Sequence, residues 1–321
     1  MRAYHLSTAG TAPALTTLPR PTPGPGEALV RIECCGLNFA DLLMIEGRYQ
    51  DTPAAPFTLG MEWAGVVEAL GPQTKGPAPG TRVAAVAGQG GLAEWGVVAA
   101  DRCIPLPDTM GFDQAAAFQI AYGTSHLALT HRAALQKGET LVVLGASGGV
   151  GLTAVELGAR LGARVVAVAR GADKLAVAQA AGAEVLIDAD HPDMKAALKE
   201  AGGGDVVYDA VGGALGEAAL AALRRGGRYL VIGFASGDIP RVKLNHMLVK
   251  NQSLHGLYWG GYMTLDPAVL HNSMADLFRM FAEGGLEPHI SHHVPLHQAA
   301  EGLEMLRQRR ATGKIVVTMR D

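Results

Sequence analysis

Apolar and polar positions change rhythm twice along the chain. Over roughly the first hundred residues, short apolar runs alternate with glycine and proline. The runs 28–35, 64–69, 82–86 and 95–98 predict strands, and Gly24-Pro25-Gly26, Gly71-Pro72 and the stretch 76–80 predict turns. Short strands with frequent turns point to a compact β-barrel or sandwich. From Met110 onward the runs lengthen. A helix over 113–134 leads into strand 140–144, helix 148–161, strand 164–169, helix 172–181 and strand 184–187. Helix 192–201, strand 205–209, helix 215–223, strand 228–232 and a sixth strand over 253–257 follow. Val150, Ala154, Leu157 and Leu161 share one helical face. Strands alternating with helices of this length predict a doubly wound parallel sheet, hence an α/β fold. After Gly261 come a helix over 267–283, a His-bearing extended segment over 289–297, a helix over 298–308 and a strand over 314–319. That closing segment is too short to fold alone and is expected to pack back on the N-terminal domain. No internal repeat stands out.

Composition narrows the function. The chain has 321 residues, which fits two domains. With 49% apolar and 18% charged residues it is globular rather than disordered. Lys and Arg number 27 against 30 Asp and Glu, a net charge of −3, and no basic cluster argues for nucleic acid. No uncharged apolar stretch approaches the ~18 residues of a membrane span. The opening MRAYHLSTAGTAP lacks the apolar core of a signal peptide, so a cytoplasmic protein is expected. Cys34, Cys35 and Cys103 have no CxxC spacing, which makes them structural thiols rather than metal ligands or a redox pair.

The strongest motif is Gly145-Ala-Ser147-Gly148-Gly149-Val150-Gly151, directly after an apolar strand and opening a helix. Glycines let backbone approach a diphosphate, and the helix N-terminus offers free N–H groups and a positive dipole end. The spacing is GxxGxxG rather than GxGxxG; the strand–turn–helix context is what makes it a dinucleotide site. Arg170 lies 19 positions beyond Gly151, where an NAD site would carry a carboxylate, and Lys174 follows one turn on. A guanidinium there pairs with a 2′-phosphate, which favours NADPH (NADP+) over NADH. The competing assignment leaves Arg170 solvated and gives the ribose to Asp173.

At this point the chain resembles the zinc-independent quinone oxidoreductases of the medium-chain dehydrogenase/reductase superfamily. The resemblance is carried by Gly36-Leu-Asn38-Phe-Ala-Asp41 with Gly47-Arg-Tyr49, by the segments 59–65, 145–151, 205–213 and 226–234, by Lys250-Asn251, and by 311–316. It implies a Rossmann doubly wound parallel sheet (118–257) inserted in a GroES-like β-barrel catalytic domain (1–117 plus 258–321). It also implies a cleft between the two and a homodimer formed through the last Rossmann strand. Zinc-dependent members carry Cys and His where this chain has Asn38 and Met61, and the cysteine-rich structural lobe is missing, so no metal is expected.

The same resemblance puts Asn38 and Tyr49 in the catalytic site, as hydrogen-bond donors or as groups that only shape the nicotinamide pocket. Asp41 is expected to cap or orient the helix after it. Thr124, Phe234 and Gly256 are expected beside the cofactor, with Gly145, Ser147, Gly148, Gly149, Val150 and Gly151 on its diphosphate. The relatives' adenine-stacking Tyr is replaced by Ile187-Asp188-Ala189, and a further Tyr of some relatives by Leu43. His289, His292 and His293 have no interleaved carboxylate or thiol and predict a solvated cluster. The expected activity is NADPH-dependent reduction of a small quinone or enone by hydride transfer in the cleft. An enoyl-thioester reductase and a non-catalytic NADPH-binding sensor are the alternatives.

Overall fold

Strand Glu27–Gly36 organises the first part of the chain. It is buried at seven of its ten positions and pairs antiparallel with Glu62–Leu70, Trp95–Ala99 and Lys314–Thr318. The computed structural model describes residues 1–8 and 10–320. They form two compact units, Met1–Ile120 with Phe281–Asp321, and Ala121–Met280.

In the first unit the sheet runs Ile290–Pro295, Lys314–Thr318, Glu27–Gly36, Glu62–Leu70, Arg82–Val86, Ile104–Pro105, with Trp95–Ala99 attached to Glu27–Gly36. A smaller sheet joins Ala14–Thr17, Arg2–Leu6 and Phe57–Thr58. The chain end does return: Val317 stands opposite Cys35. Leu6, Ile32, Leu37, Met44, Leu59, Trp63, Ile315 and Val317 share one apolar core. All three cysteines are free and buried. Burial pushes the Cys34 thiol up to about 12 and the Cys103 thiol up to about 11, so neither is a thiolate at neutral pH.

The second unit is built on a six-stranded, all-parallel sheet. Its order is Val185–Asp188, Arg164–Ala169, Thr140–Leu144, Gly204–Asp209, Leu223–Val231, Ser253–Gly256. Thr140–Leu144 is buried at every position, which is why it reads as an unbroken apolar run. Val142 and Leu144 pack against Met194, Leu198, Ala219 and Ala222 on one face. Leu141, pointing the other way, packs so closely on helix Gly149–Arg160 that a Cβ on Gly158 would come within 2.4 Å of its Cδ2. The sheet is therefore covered on both sides. Among the described residues no helix is long and apolar enough to cross a membrane.

The structure differs from the sequence reading at three points. The helix expected over 113–134 is broken into Phe112–Ala116, Gln119–His126 and a wider-wound turn Leu127–Arg132, where Ala133 N–H bonds Ala128 O at 2.8 Å. The domain boundaries expected at 117/118 and 257/258 fall at 120/121 and 280/281. Residues 258–280 pack within the second unit: His126 Nδ1 lies 2.8 Å from Ser273 Oγ, and the His131 and Tyr262 rings meet edge to face. A further helix, Leu244–Lys250, has no buried residue, so it carries none of the inward-facing periodicity that reveals the others.

Candidate active site

The glycine turn lies at the C-terminal end of the central strand Thr140–Leu144, where the neighbouring strands run to opposite sides. Such a switch point is where open α/β sheets bind ligands. Gly145 has φ +73°, a conformation a side chain disfavours. A Cβ on Gly151 would stand 2.1 Å from Gly145 O, so the turn closes on the helix only with glycine there. Gly148 differs: a Cβ would clear Gly145 O by 3.5 Å, so the protein's own packing does not demand glycine. Helix Gly149–Arg160 makes its first internal bond from Leu152 N–H to Gly148 O at 2.8 Å. The N–H groups of Gly149, Val150 and Gly151 precede that bond and face the helix start, with the dipole behind them. Ser147, between the glycines, is buried.

A buried polar knot, not foreseen from sequence, fixes this turn from behind. Ser125 Oγ donates to Val150 O at 2.8 Å and lies 2.8 Å from Thr153 Oγ1 and 3.0 Å from Tyr208 Oη. Thr153 Oγ1 is 3.0 Å from Ala121 O. Thr124, the expected nicotinamide neighbour, is buried beside Ser125. Asp209 closes the other side. Its Oδ1 accepts from Val211 N–H at 2.7 Å and Gly212 N–H at 2.8 Å, and Oδ2 accepts from the Tyr229 hydroxyl. Phe234 stands exposed where a Cβ on Gly212 would reach its Cδ1 at 3.0 Å. Gly256 ends the edge strand with open space around its Cα.

Arg170 ends up exposed just beyond the second strand, and its Nε lies 3.1 Å from Asp190 Oδ1. Asp188 accepts from Gly171 N–H at 3.2 Å and from Asp190 N–H at 3.0 Å. Lys174 is half-buried in the following helix Ala172–Ala180. Asp190 therefore offsets the charge of Arg170, with Asp188 close by in the chain.

The amide and the phenol belong to the first unit. Asn38 precedes helix Phe39–Ile45, and its backbone N–H donates to Asp41 Oδ2 at 2.8 Å, so Asp41 does orient that helix. Asp41 Oδ1 accepts from Gly60 N–H at 3.2 Å. Complete burial drives the Asp41 carboxyl up to about 6, against the Asn38 and Gly60 N–H groups and the Lys314 charge that favour its ionised form. The Asn38 side chain is held by two partners that sequence reasoning passed over. Its Nδ2 donates to Glu62 Oε1 at 3.0 Å and to Gly36 O at 3.3 Å, and its Oδ1 accepts from Lys314 Nζ at 2.7 Å. Lys314 Nζ and Glu62 Oε1 form an ion pair at 2.8 Å, and Glu62 Oε2 accepts from Ile120 N–H at 2.9 Å. Glu62 is fully buried and Lys314 is 5% exposed. Tyr49, beyond that helix, is half-buried against the apolar core. The three C-terminal histidines turn to separate partners: His289 to Thr312, His292 to Ser291 and His293 to Asp113.

Residues 24–108 match the alcohol dehydrogenase GroES-like domain, and residues 149–278 match the family described as zinc-binding dehydrogenase. The chain is 38% identical to a quinone oxidoreductase-like protein 2 homolog of Nematostella vectensis over 300 residues, 92% of this chain and 82% of that protein. It matches the quinone oxidoreductase of Thermus thermophilus, studied also as its NADPH complex, with TM-score 0.87 and 34% identity over 99% of this chain and 100% of that one. The Escherichia coli quinone oxidoreductase, solved with NADPH, matches with TM-score 0.89 and 28% identity, covering 99% of each chain. With its parallel nucleotide-binding-type sheet, its GroES-like unit and these relatives, the chain belongs to the quinone oxidoreductase family of the medium-chain dehydrogenases/reductases.

Proposed function

We propose that the protein reduces quinones or related conjugated carbonyls with NADPH and without zinc. The observation that carries this reading is the Gly145–Gly151 turn at the switch point, where room at Gly148 and three free helix-start N–H groups suit a diphosphate. The T. thermophilus and E. coli relatives with bound NADPH support the choice of nucleotide. In this reading Gly145, Ser147, Gly148, Gly149, Val150 and Gly151 hold the diphosphate. Arg170 and Lys174 meet the 2′-phosphate, and Thr124, Phe234 and Gly256 border the rest of the cofactor.

The matched family's description names zinc, but the residues here do not suit it. Asn38 and Met61 replace a thiolate and an imidazole, and the Glu62 carboxylate is committed to Lys314. Among the described residues no group of three or more His, Cys, Asp or Glu side chains is arranged around a common point. No step is therefore assigned to a metal. When bound, the reduced nicotinamide supplies a hydride. Negative charge then develops on the substrate oxygen, and without a metal it needs a hydrogen-bond donor. The Tyr49 phenol is the group assigned to it, and water protonates the released hydroquinone anion, a weak base.

A homodimer follows from the same reading. Leu254 on the edge strand Ser253–Gly256 is exposed, and so are Leu244, Leu248 and Val249 on the helix that precedes it in the chain. An apolar edge of this kind is a surface that pairing would cover.

The test is NADPH oxidation by purified protein with an ortho-quinone, a para-quinone, an enone and an enoyl-CoA in parallel. Turnover with the quinones or the enone is expected. Turnover with the enoyl-CoA alone would move the protein to thioester reduction, and tight NADPH binding with no turnover would make it a sensor.

A further inference from the structure

The two ends of the Asn38 carboxamide are identified by what faces them. A lysine ammonium has only protons to offer, and a carboxylate has only lone pairs. Lys314 Nζ lies 2.7 Å from one end of the amide and Glu62 Oε1 lies 3.0 Å from the other. Only one of the two flips satisfies both contacts: oxygen toward the ammonium, nitrogen toward the carboxylate. The other flip would set N–H against N–H and oxygen against oxygen, with Glu62 fully buried and Lys314 nearly so.

The valences can then be assigned. An Asn side chain has two N–H protons and two oxygen lone pairs. One proton goes to Glu62 and the other to Gly36 O at 3.3 Å. One lone pair takes a proton from Lys314. What remains for a bound molecule is the second lone pair on Oδ1.

We propose that Glu62 and Lys314 are positioning residues that fix Asn38 as a hydrogen-bond acceptor, so that Asn38 receives an N–H or O–H from the bound molecule and does not stabilise the oxyanion. The proposal rests on the reductase reading above. It replaces the expectation that the amide donates, and it leaves the oxyanion to another donor. The N–H or O–H belongs either to the carboxamide of the nicotinamide or to a hydroxyl of the reduced product.

A reversed pair tests it. Asn38→Asp sets a second carboxylate against Glu62, and kcat/KM with a quinone falls by about 100-fold or more. Adding Glu62→Gln restores a donor facing an acceptor in the opposite sense, while position 38 has no amide proton to give. Recovery of at least about tenfold is expected. No recovery, in a double variant whose melting temperature has returned toward that of the parent, would overturn the proposal.

Nuclear magnetic resonance gives a readout independent of turnover. The Asn38 side-chain NH2 pair, assigned by its loss in Asn38→Asp or by direct side-chain correlation, should exchange slowly with water in the free protein. Fast exchange that becomes protected only when NADP+ or a hydroquinone binds would mean that the amide donates to the ligand. Should the wild type reduce no acceptor, the functional reading fails while this exchange still decides the state of the amide. The two sources separate with the 3-acetylpyridine analogue of NADP+, which lacks the carboxamide N–H. If Asn38→Leu abolishes the preference for NADP+ over the analogue, the nucleotide is the donor. If the preference survives and hydroquinone binding weakens instead, the product is. If neither changes, Asn38 accepts from neither of these two groups and the proposal falls.

Discussion

Arg170 stands where the 2′-phosphate is expected, yet its guanidinium faces Asp190 at 3.1 Å, with both side chains exposed. An exposed pair of this kind is weak, about 0.2–1 kcal/mol, so a dianionic phosphate can displace it. Asp190→Asn should therefore tighten NADPH by up to about fivefold and change NADH less, read by fluorescence titration. Weaker NADPH binding in that variant would mean that Asp190 holds Arg170 in place. Asp41 supports a second prediction at this scale. Its carboxyl stands at about 6 in the folded protein against about 3.9 unfolded. The folded chain then holds a proton that the unfolded chain gives up. The resulting stability is present below about pH 4 and lost as pH rises to about 6. Relative to Asp41→Asn, the wild type should lose up to about 3 kcal/mol across that window in urea titrations. A flat difference would show that the backbone N–H bonds hold Asp41 ionised. Glu62 and Lys314 did leave a trace in the sequence: one is a single charge within an apolar run and the other opens one, and a charge that such a run buries needs a partner. Nothing local says which partner.

Glycines act differently within one element. Gly151 is required by the fold, because a Cβ would meet Gly145 O at 2.1 Å, whereas Gly148 has 3.5 Å of clearance from the same atom. Gly151→Ala should lower stability by about 1–3 kcal/mol. Gly148→Ala should leave the melting temperature in place and, on the proposed reading that this turn holds the diphosphate, weaken NADPH by about tenfold or more. Loss of stability in Gly148→Ala, with affinity kept, would remove the diphosphate from this turn. The inner parallel strands Thr140–Leu144 and Arg164–Ala169 were legible because burial on both faces makes them nearly unbroken apolar runs. The break in the helix expected over 113–134 was not, because its residues stay apolar through Ala117 and Phe118 on either side of the bend.

For the whole molecule the open question is assembly. Leu244 is 75% exposed and Leu248 78%, on a helix with no buried residue. If this face pairs subunits beside the edge strand Ser253–Gly256, Leu248→Glu should convert a dimer to a monomer in sedimentation velocity, with secondary structure intact. An unchanged dimer would place the interface elsewhere.

The sequence by itself determined the alternation of strands and helices and the glycine turn. Each is written in neighbouring residues as a period, a glycine requirement or an apolar run. Only the tertiary structure decided the state of the amide. Asn38 lies 24 residues from Glu62 and 276 from Lys314, and the pairing that orients it exists only once strand Lys314–Thr318 is laid beside Glu27–Gly36. Hydrogen-bond direction is set by contact, and contacts this distant in the chain follow from the sheet.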